Sequence, residues 1–137
     1  MSKQQKVFLY LSIGIYIIAL TQKSYCTPGS CENFSGLLTV LFGWFGVLML
    51  HVPAFPWLAN PILFIAWIFF KKKPKISLIL CVISFLLMVS FLFVNEIIVN
   101  DGSTKGIILS YGLGYWLWIL SSLVLVIGNL ITLKSKK

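Results

Sequence analysis

The sequence predicts an all-α, polytopic membrane protein with four transmembrane helices and a short half-inserted or interfacial helix on the outer side. The first observation is composition, because 59% of the 137 residues are hydrophobic and only 10% are charged. A soluble domain carries about a quarter charged residues. The second is that the apolar residues form long runs, and the third is that lysines group at the ends of those runs. A chain of this length allows one membrane domain, 1–137, and no separate soluble domain.

Three runs predict complete crossings, since a crossing helix needs ~20 apolar residues. They lie at about 5–22, 76–94 and 106–133. The first run has a basic start like a signal peptide, but TQKSYC offers no small-x-small cleavage site, so it is expected to remain as the first helix.

The remaining segment, 36–70, is too long for one crossing and too short for three. Three prolines in HVPAFPWLANP (51–61) cannot all lie inside a regular helix. The preferred interpretation is a short helix at about 36–50 that dips into or lies along the outer leaflet. A crossing at about 54–70 then follows, kinked near its start by Pro61.

The alternative is one crossing made of two half-helices with an unwound centre. Backbone freed at mid-membrane must be covered by protein or line a wet cavity. This alternative predicts a small-molecule or ion site at the break, around His51 to Asn60.

The lysines predict the orientation. All eleven basic residues are lysines, and nine form three groups at both chain ends and in KKKPK (71–75). The other two share their segments with the only acidic residues. The positive-inside rule therefore predicts cytoplasmic termini, with 21–35 and 95–105 outside. The net charge of +8 is expected to meet anionic lipid headgroups rather than nucleic acid.

The stretch CTPGSC (26–31) predicts a disulfide between Cys26 and Cys31. Pro and Gly occupy the second and third positions of a four-residue turn, as type II turns prefer. The turn brings the cysteines together in an external, oxidising compartment. A zinc site needs two more ligands than the neighbouring sequence offers, and a redox dithiol more typically has C-x-x-C spacing. Cys81 is expected to be a buried packing residue.

Motifs for catalysis, metal binding or a cofactor are missing, and no enzyme activity is predicted. The single histidine excludes a histidine pair, and no ionisable residue lies deep in a span, which argues against an ion pump. A candidate polar site comprises His51, Asn60, Asn95 and Glu96, although solvated or interfacial positions explain these residues without a ligand.

Small residues form a face on three helices, where they allow close backbone approach. At 100° per residue these faces comprise Gly36, Thr39, Gly43 and Gly46; Ser77, Cys81, Ser84, Met88 and Asn95; and Gly106, Ser110, Gly114, Ser121 and Gly128. Most such faces hold a bundle together. The first is predicted to contact a partner, because its helix does not need to span.

The stretches WLANPILFIAWIFF (57–70) and YGLGYWLW (111–118) resemble a group of small bacterial four-helix inner-membrane proteins without an assigned role. The resemblance is one of pattern, W-L-A-N-P followed by Y-G-L-G-Y-W-L-W, and it implies a bacterial membrane location. The size and layout are also loosely similar to integral-membrane immunity proteins, which protect a cell from a pore-forming toxin; that likeness is an analogy of architecture.

Two functions are consistent with these observations. The first is a non-catalytic protein that binds another membrane protein or a toxin, as an immunity protein or accessory subunit. The second is a small-molecule or ion-handling protein with a cavity at the break, 51–61.

Overall fold

The structure is a computed structural model that describes residues 1–29, 35–98 and 105–135, and most of these residues are helical. In chain order the elements are α1 (Lys3–Thr21), β1 (Tyr25–Cys26), α2 (Gly36–Leu48), a 3-10 segment (Val52–Leu58), α3 (Ala59–Lys72), α4 (Pro74–Ser90), a 3-10 turn (Phe91–Phe93), β2 (Glu96–Ile98), β3 (Lys105–Ile107), β4 (Ser110–Tyr111) and α5 (Leu113–Lys134). Four helical stretches among the described residues are long and apolar enough to cross a membrane. They are α1, the 3-10 segment with α3, α4 with its 3-10 turn, and α5. The predicted number of candidate spans is confirmed.

The spans pack as antiparallel neighbours in the order α1, α5, α4, α3. Ser12 donates a hydrogen bond to the carbonyl of Ser121 at 2.7 Å, which joins α1 to α5. Ser84 donates to the carbonyl of Ala59 at 2.9 Å, which joins α4 to α3. Because neighbours run in opposite directions, the lysines at the start of α1, between α3 and α4 and at the end of α5 share one end of the bundle, the lysine end. The strands lie at the opposite end, the loop end.

The bundle buries small and polar side chains and exposes large apolar ones. The small residues of α4, namely Ser77, Cys81, Ser84 and Met88, are all buried, as are Gly114, Ser121 and Gly128 of α5. The predicted faces are confirmed at these positions. Most large outward-pointing side chains are apolar, such as Ile68, which is 70% exposed. This distribution suits a surface in contact with hydrocarbon.

The last helix begins later than predicted. Residues 105–107 and 110–111 form strands, which pair antiparallel with β2 and β1 respectively. Gly106 and Ser110 are therefore not on the face of a helix, and Asn95 follows the end of α4 rather than continuing it. Strands of two or three residues are too short to show an alternating pattern in the sequence. The apolar run 106–112 therefore predicts helix instead.

The break in 36–70 is confirmed, and α2 is a separate helix. The candidate span that follows α2 begins as a 3-10 helix. The prediction was an α-helix kinked at Pro61. Pro53 lies at the start of the 3-10 segment and Pro56 inside it, whereas Pro61 lies in the first turn of α3. A first-turn proline loses no helical hydrogen bond, so the change of helix type at Ala59 replaces the expected kink.

A C-terminal cap turns the chain from α2 into the 3-10 segment. The amide of Leu50 donates to the carbonyl of Val47 at 3.0 Å, and that of His51 donates to the carbonyl of Gly46 at 2.9 Å. These two bonds form a Schellman motif. Leu50 has a φ of 52°, the left-handed conformation that the motif requires and that glycine usually supplies.

Candidate functional site

A cavity of about 1060 Å³ lies at the loop end of the bundle. It is open on one side and is bordered by α2 and the 3-10 segment and by the loop-end parts of α1 and α5. Most of its surface is apolar, and its size is at the upper end of what ligand pockets reach. It coincides with the Pro-rich break at which the sequence placed its alternative site.

One wall of the cavity is α2, which packs on the 3-10 segment through its glycines. A Cβ on Gly43 would overlap the indole ring of Trp57, and one on Gly46 would lie 2.6 Å from the Cβ of Ala54. The indole Nε1 of Trp57 donates to the carbonyl of Val40 at 2.8 Å and joins the same two elements. These contacts turn the glycine face towards the rest of the protein.

The predicted partner-contact residues therefore face the protein's own elements; Gly36 is buried and Thr39, Gly43 and Gly46 are half-buried. Gly36 lies against the end of α1, where a Cβ would be 2.5 Å from the carbonyl oxygen of Ala19. Thr39 lines the cavity with Gly36, Gly43 and Gly46, and its hydroxyl donates to the carbonyl of Ser35 at 3.0 Å. The exposed face of α2 is the opposite one, which carries Leu37, Leu41, Trp44 and Leu48.

Asn60 closes the deep end of the cavity. Its Oδ1 accepts hydrogen bonds from the hydroxyl of Tyr16 at 2.9 Å and from Nε1 of Trp118 at 2.8 Å. Its Nδ2 donates to the carbonyl of Trp57 at 2.9 Å. Asn60 is 2% exposed, and its partners come from α1, α5 and the 3-10 segment. The amide thus satisfies two ring donors that would otherwise be unpaired in apolar surroundings.

His51 lies at the other end of the 3-10 segment and also lines the cavity. Its Nε2 is buried and has no hydrogen-bond partner among the described residues. His51 thus differs from Asn60, whose side-chain polar atoms all have partners. Burying a polar atom without a partner costs free energy.

The four residues of the predicted polar site do not come together. His51 and Asn60 line the cavity, but Asn95 and Glu96 lie on the exposed surface of the β2–β3 hairpin. Glu96 forms an ion pair with Lys105 at 3.6 Å between two well-exposed side chains. Such a pair contributes little to stability. Among the described residues, no group of three or more His, Cys, Asp or Glu is placed to hold a metal ion.

No family model, curated protein or solved structure matches this chain. The two stretches that carried the sequence resemblance do meet in the fold, because Asn60 of WLANP and Trp118 of YGLGYWLW share a hydrogen bond. Tyr16 and Trp118 were missed as site residues; the ring of Trp118 fits the aromatic belt of a membrane interface equally well. A lone asparagine within an apolar run was the available signal that buried donors converge there.

Cys26 is half-buried on β1, where it lies opposite Ser110, and it has no disulfide partner among the described residues. Its predicted partner, Cys31, lies outside the described residues. The disulfide therefore stays a prediction. Cys81 is buried in the bundle, as expected.

Proposed function

We propose that this chain is a non-catalytic integral membrane protein that binds an apolar small molecule in the cavity beneath α2. The observation that carries the proposal is the cavity itself, about 1060 Å³ and mostly apolar, with a small number of polar atoms at defined places. Pockets of this kind are the default binding sites of proteins. A cavity of this size and character at the loop end favours a lipid-like ligand over an ion.

The geometry favours this function over binding through the glycine face. That face was the reason to expect a protein partner, and it packs on the 3-10 segment and on α1 instead. An ion is a poor candidate, because the described residues that line the cavity include no carboxylate and no metal-ligand cluster.

The experiment uses the fluorescence of Trp57 and Trp118, which both line the cavity. Trp44 and Trp116 are exposed and are replaced by phenylalanine to reduce the signal from lipid-facing rings. Bromohexadecane, whose bromine quenches indole fluorescence, is then titrated into the full-length protein in lipid nanodiscs. Saturable quenching is expected.

Two matched variants test where the probe binds. Thr39→Phe adds a ring inside the cavity and should abolish the saturable phase, whereas Leu41→Phe adds the same ring on the exposed face and should leave it unchanged. Equal saturable quenching in both variants, or none in the starting protein, would contradict the proposed site.

A second candidate is the binding of another membrane protein or a toxin, in the manner of an immunity protein or accessory subunit. The apolar face of α2 opposite the glycines favours it, since Leu41 is 52% exposed and its neighbours on that face are similarly open. Under this hypothesis Leu41→Phe weakens co-purification with the protein encoded next to this one, and Thr39→Phe does not. The same two variants therefore separate the candidates.

We also propose a location in the bacterial inner membrane with both termini in the cytoplasm. One end of the bundle carries Lys3, Lys6, Lys134 and the lysines of residues 71–75, while the described acidic residue, Glu96, is at the other end. The positive-inside rule assigns the lysine end to the cytoplasm. The cavity then opens near the outer leaflet.

A further inference from the structure

His51 identifies the part of the cavity that recognises a polar group. Its Nε2 is buried without a partner among the described residues, although its backbone amide and carbonyl bond to Gly46 and Ala54. The backbone bonds fix the residue between α2 and the 3-10 segment. A buried polar atom normally has a hydrogen-bond partner, and a ligand in the cavity would supply the missing one.

The chemistry of the remaining wall excludes a charged group. Among the described residues that line the cavity, none is a lysine or a carboxylate. Burial raises the pKa of Tyr25 to about 12, so this lining phenol is neutral at physiological pH. A charge placed there would be desolvated without a partner, which is strongly unfavourable. A neutral group, by contrast, can pair with His51 without needing a counter-charge from the rest of the described wall.

The positions of the polar atoms also determine which end of a ligand would lie at His51. The 3-10 segment lies between His51 and the deep end of the cavity at Asn60. Its seven residues span about 14 Å at ~2.0 Å per residue. At the deep end Oδ1 of Asn60 already accepts two hydrogen bonds. A single polar group thus belongs at His51, and a hydrocarbon chain fills the space towards Asn60.

We propose that the cavity takes a neutral amphiphile, with one hydroxyl or carbonyl group hydrogen-bonded to Nε2 of His51 and a long hydrocarbon chain along the 3-10 segment. This inference rests on the proposed function, because it requires the cavity to hold a ligand.

The test compares hexadecanol with hexadecane, which differ only in the hydroxyl group. Binding of each to the full-length protein in nanodiscs is measured by native mass spectrometry, in the wild type, in His51→Phe and in His51→Gln. For each protein, the affinity for hexadecanol is divided by the affinity for hexadecane. Comparing this ratio between the wild type and a variant cancels the unequal partitioning of the probes into lipid. One hydrogen bond corresponds to a preference of about three- to tenfold.

We expect His51→Phe to lose this preference and to keep its affinity for hexadecane. His51→Gln, which retains a side-chain donor and acceptor, should keep part of the preference. If wild type and His51→Phe have the same affinity ratio, the role of His51 is wrong while the proposed cavity function stands. If neither probe binds the wild type, the proposed function fails and this inference fails with it.

Discussion

Asn60 is the residue at which the parts of the interior meet. It lies in α3, accepts from a tyrosine of α1 and a tryptophan of α5, and donates to the 3-10 segment. Side-chain hydrogen bonds between membrane helices average about 0.6 kcal/mol each, so three of them on one amide make a substantial local contribution. The same amide leaves no acceptor capacity for a ligand, so the proposed polar contact is assigned to His51.

Gly43 gives a prediction at this scale. Gly43→Leu adds a side chain where even a Cβ would overlap the indole of Trp57. Overpacking of this kind costs about 1–3 kcal/mol, so the free energy of unfolding in detergent micelles should fall by that amount. Tryptophan fluorescence during denaturant titration measures it.

Gly14 supplies the matched control. A Cβ at Gly14 would have no atom within 4 Å, and the residue lies inside α1. Gly14→Leu should leave stability equal or higher, because leucine favours helix over glycine by several tenths of a kcal/mol. Equal stability of the two variants would mean that the glycine face of α2 does not pack internally.

Among the elements, the turn between α2 and the 3-10 segment sets the shape of the cavity. The Schellman motif reverses the chain after Leu48, and the glycines then let α2 lie close to the 3-10 segment. The motif places Leu50, rather than glycine, in the left-handed conformation. This conformation costs an ordinary residue about 1–2 kcal/mol, so the turn is formed at some expense of stability.

Leu50→Gly is therefore expected to stabilise the protein. Glycine adopts the required φ without steric cost, and the leucine side chain is 77% exposed, so little packing is lost. After the greater flexibility of glycine in the unfolded chain is subtracted, the net gain should be about 1 kcal/mol in the unfolding titration. Met49→Gly is the control, since Met49 is similarly exposed and has a φ of −78°. If both variants lose stability equally, the strain at Leu50 is not real.

The sequence predicted the long elements well and the short ones poorly. Runs of about 20 apolar residues, the length that a membrane crossing needs, predicted α1 and α4, and the prolines marked the break after α2. The run 106–133 predicted α5 but placed its start seven residues too early. The strands at 105–111 were missed, since pairing with distant partners, not local pattern, makes them strands. The sequence predicted the glycine face of α2 but not the direction in which it points. The 3-10 segment covers this face only in the folded protein, through tertiary contacts.

For the whole molecule, the distribution of polar groups explains both cohesion and location. Serine hydroxyls donate to carbonyls of neighbouring helices inside the bundle, and the outward surface is apolar. Without a hydrophobic force between helices in lipid, such bonds and close packing hold the helices together. Of the described lysines, all but Lys23 and Lys105 lie at the lysine end, and the proposed membrane orientation rests on this asymmetry.

The orientation can be tested by cysteine labelling of the whole protein. In a background in which Cys26 and Cys31 are serine and Cys81 is alanine, single cysteines replace Lys105 at the loop end or Ser135 at the lysine end, both exposed. A membrane-impermeant maleimide should label Lys105→Cys in intact bacterial cells and Ser135→Cys only after the membrane is opened, because the positive-inside rule keeps the lysine end in the cytoplasm. Lys73→Cys, between α3 and α4, should behave like Ser135→Cys. Labelling of Lys105→Cys and Ser135→Cys from the same side would contradict the four-crossing topology, and with it the position of the cavity near the outer leaflet.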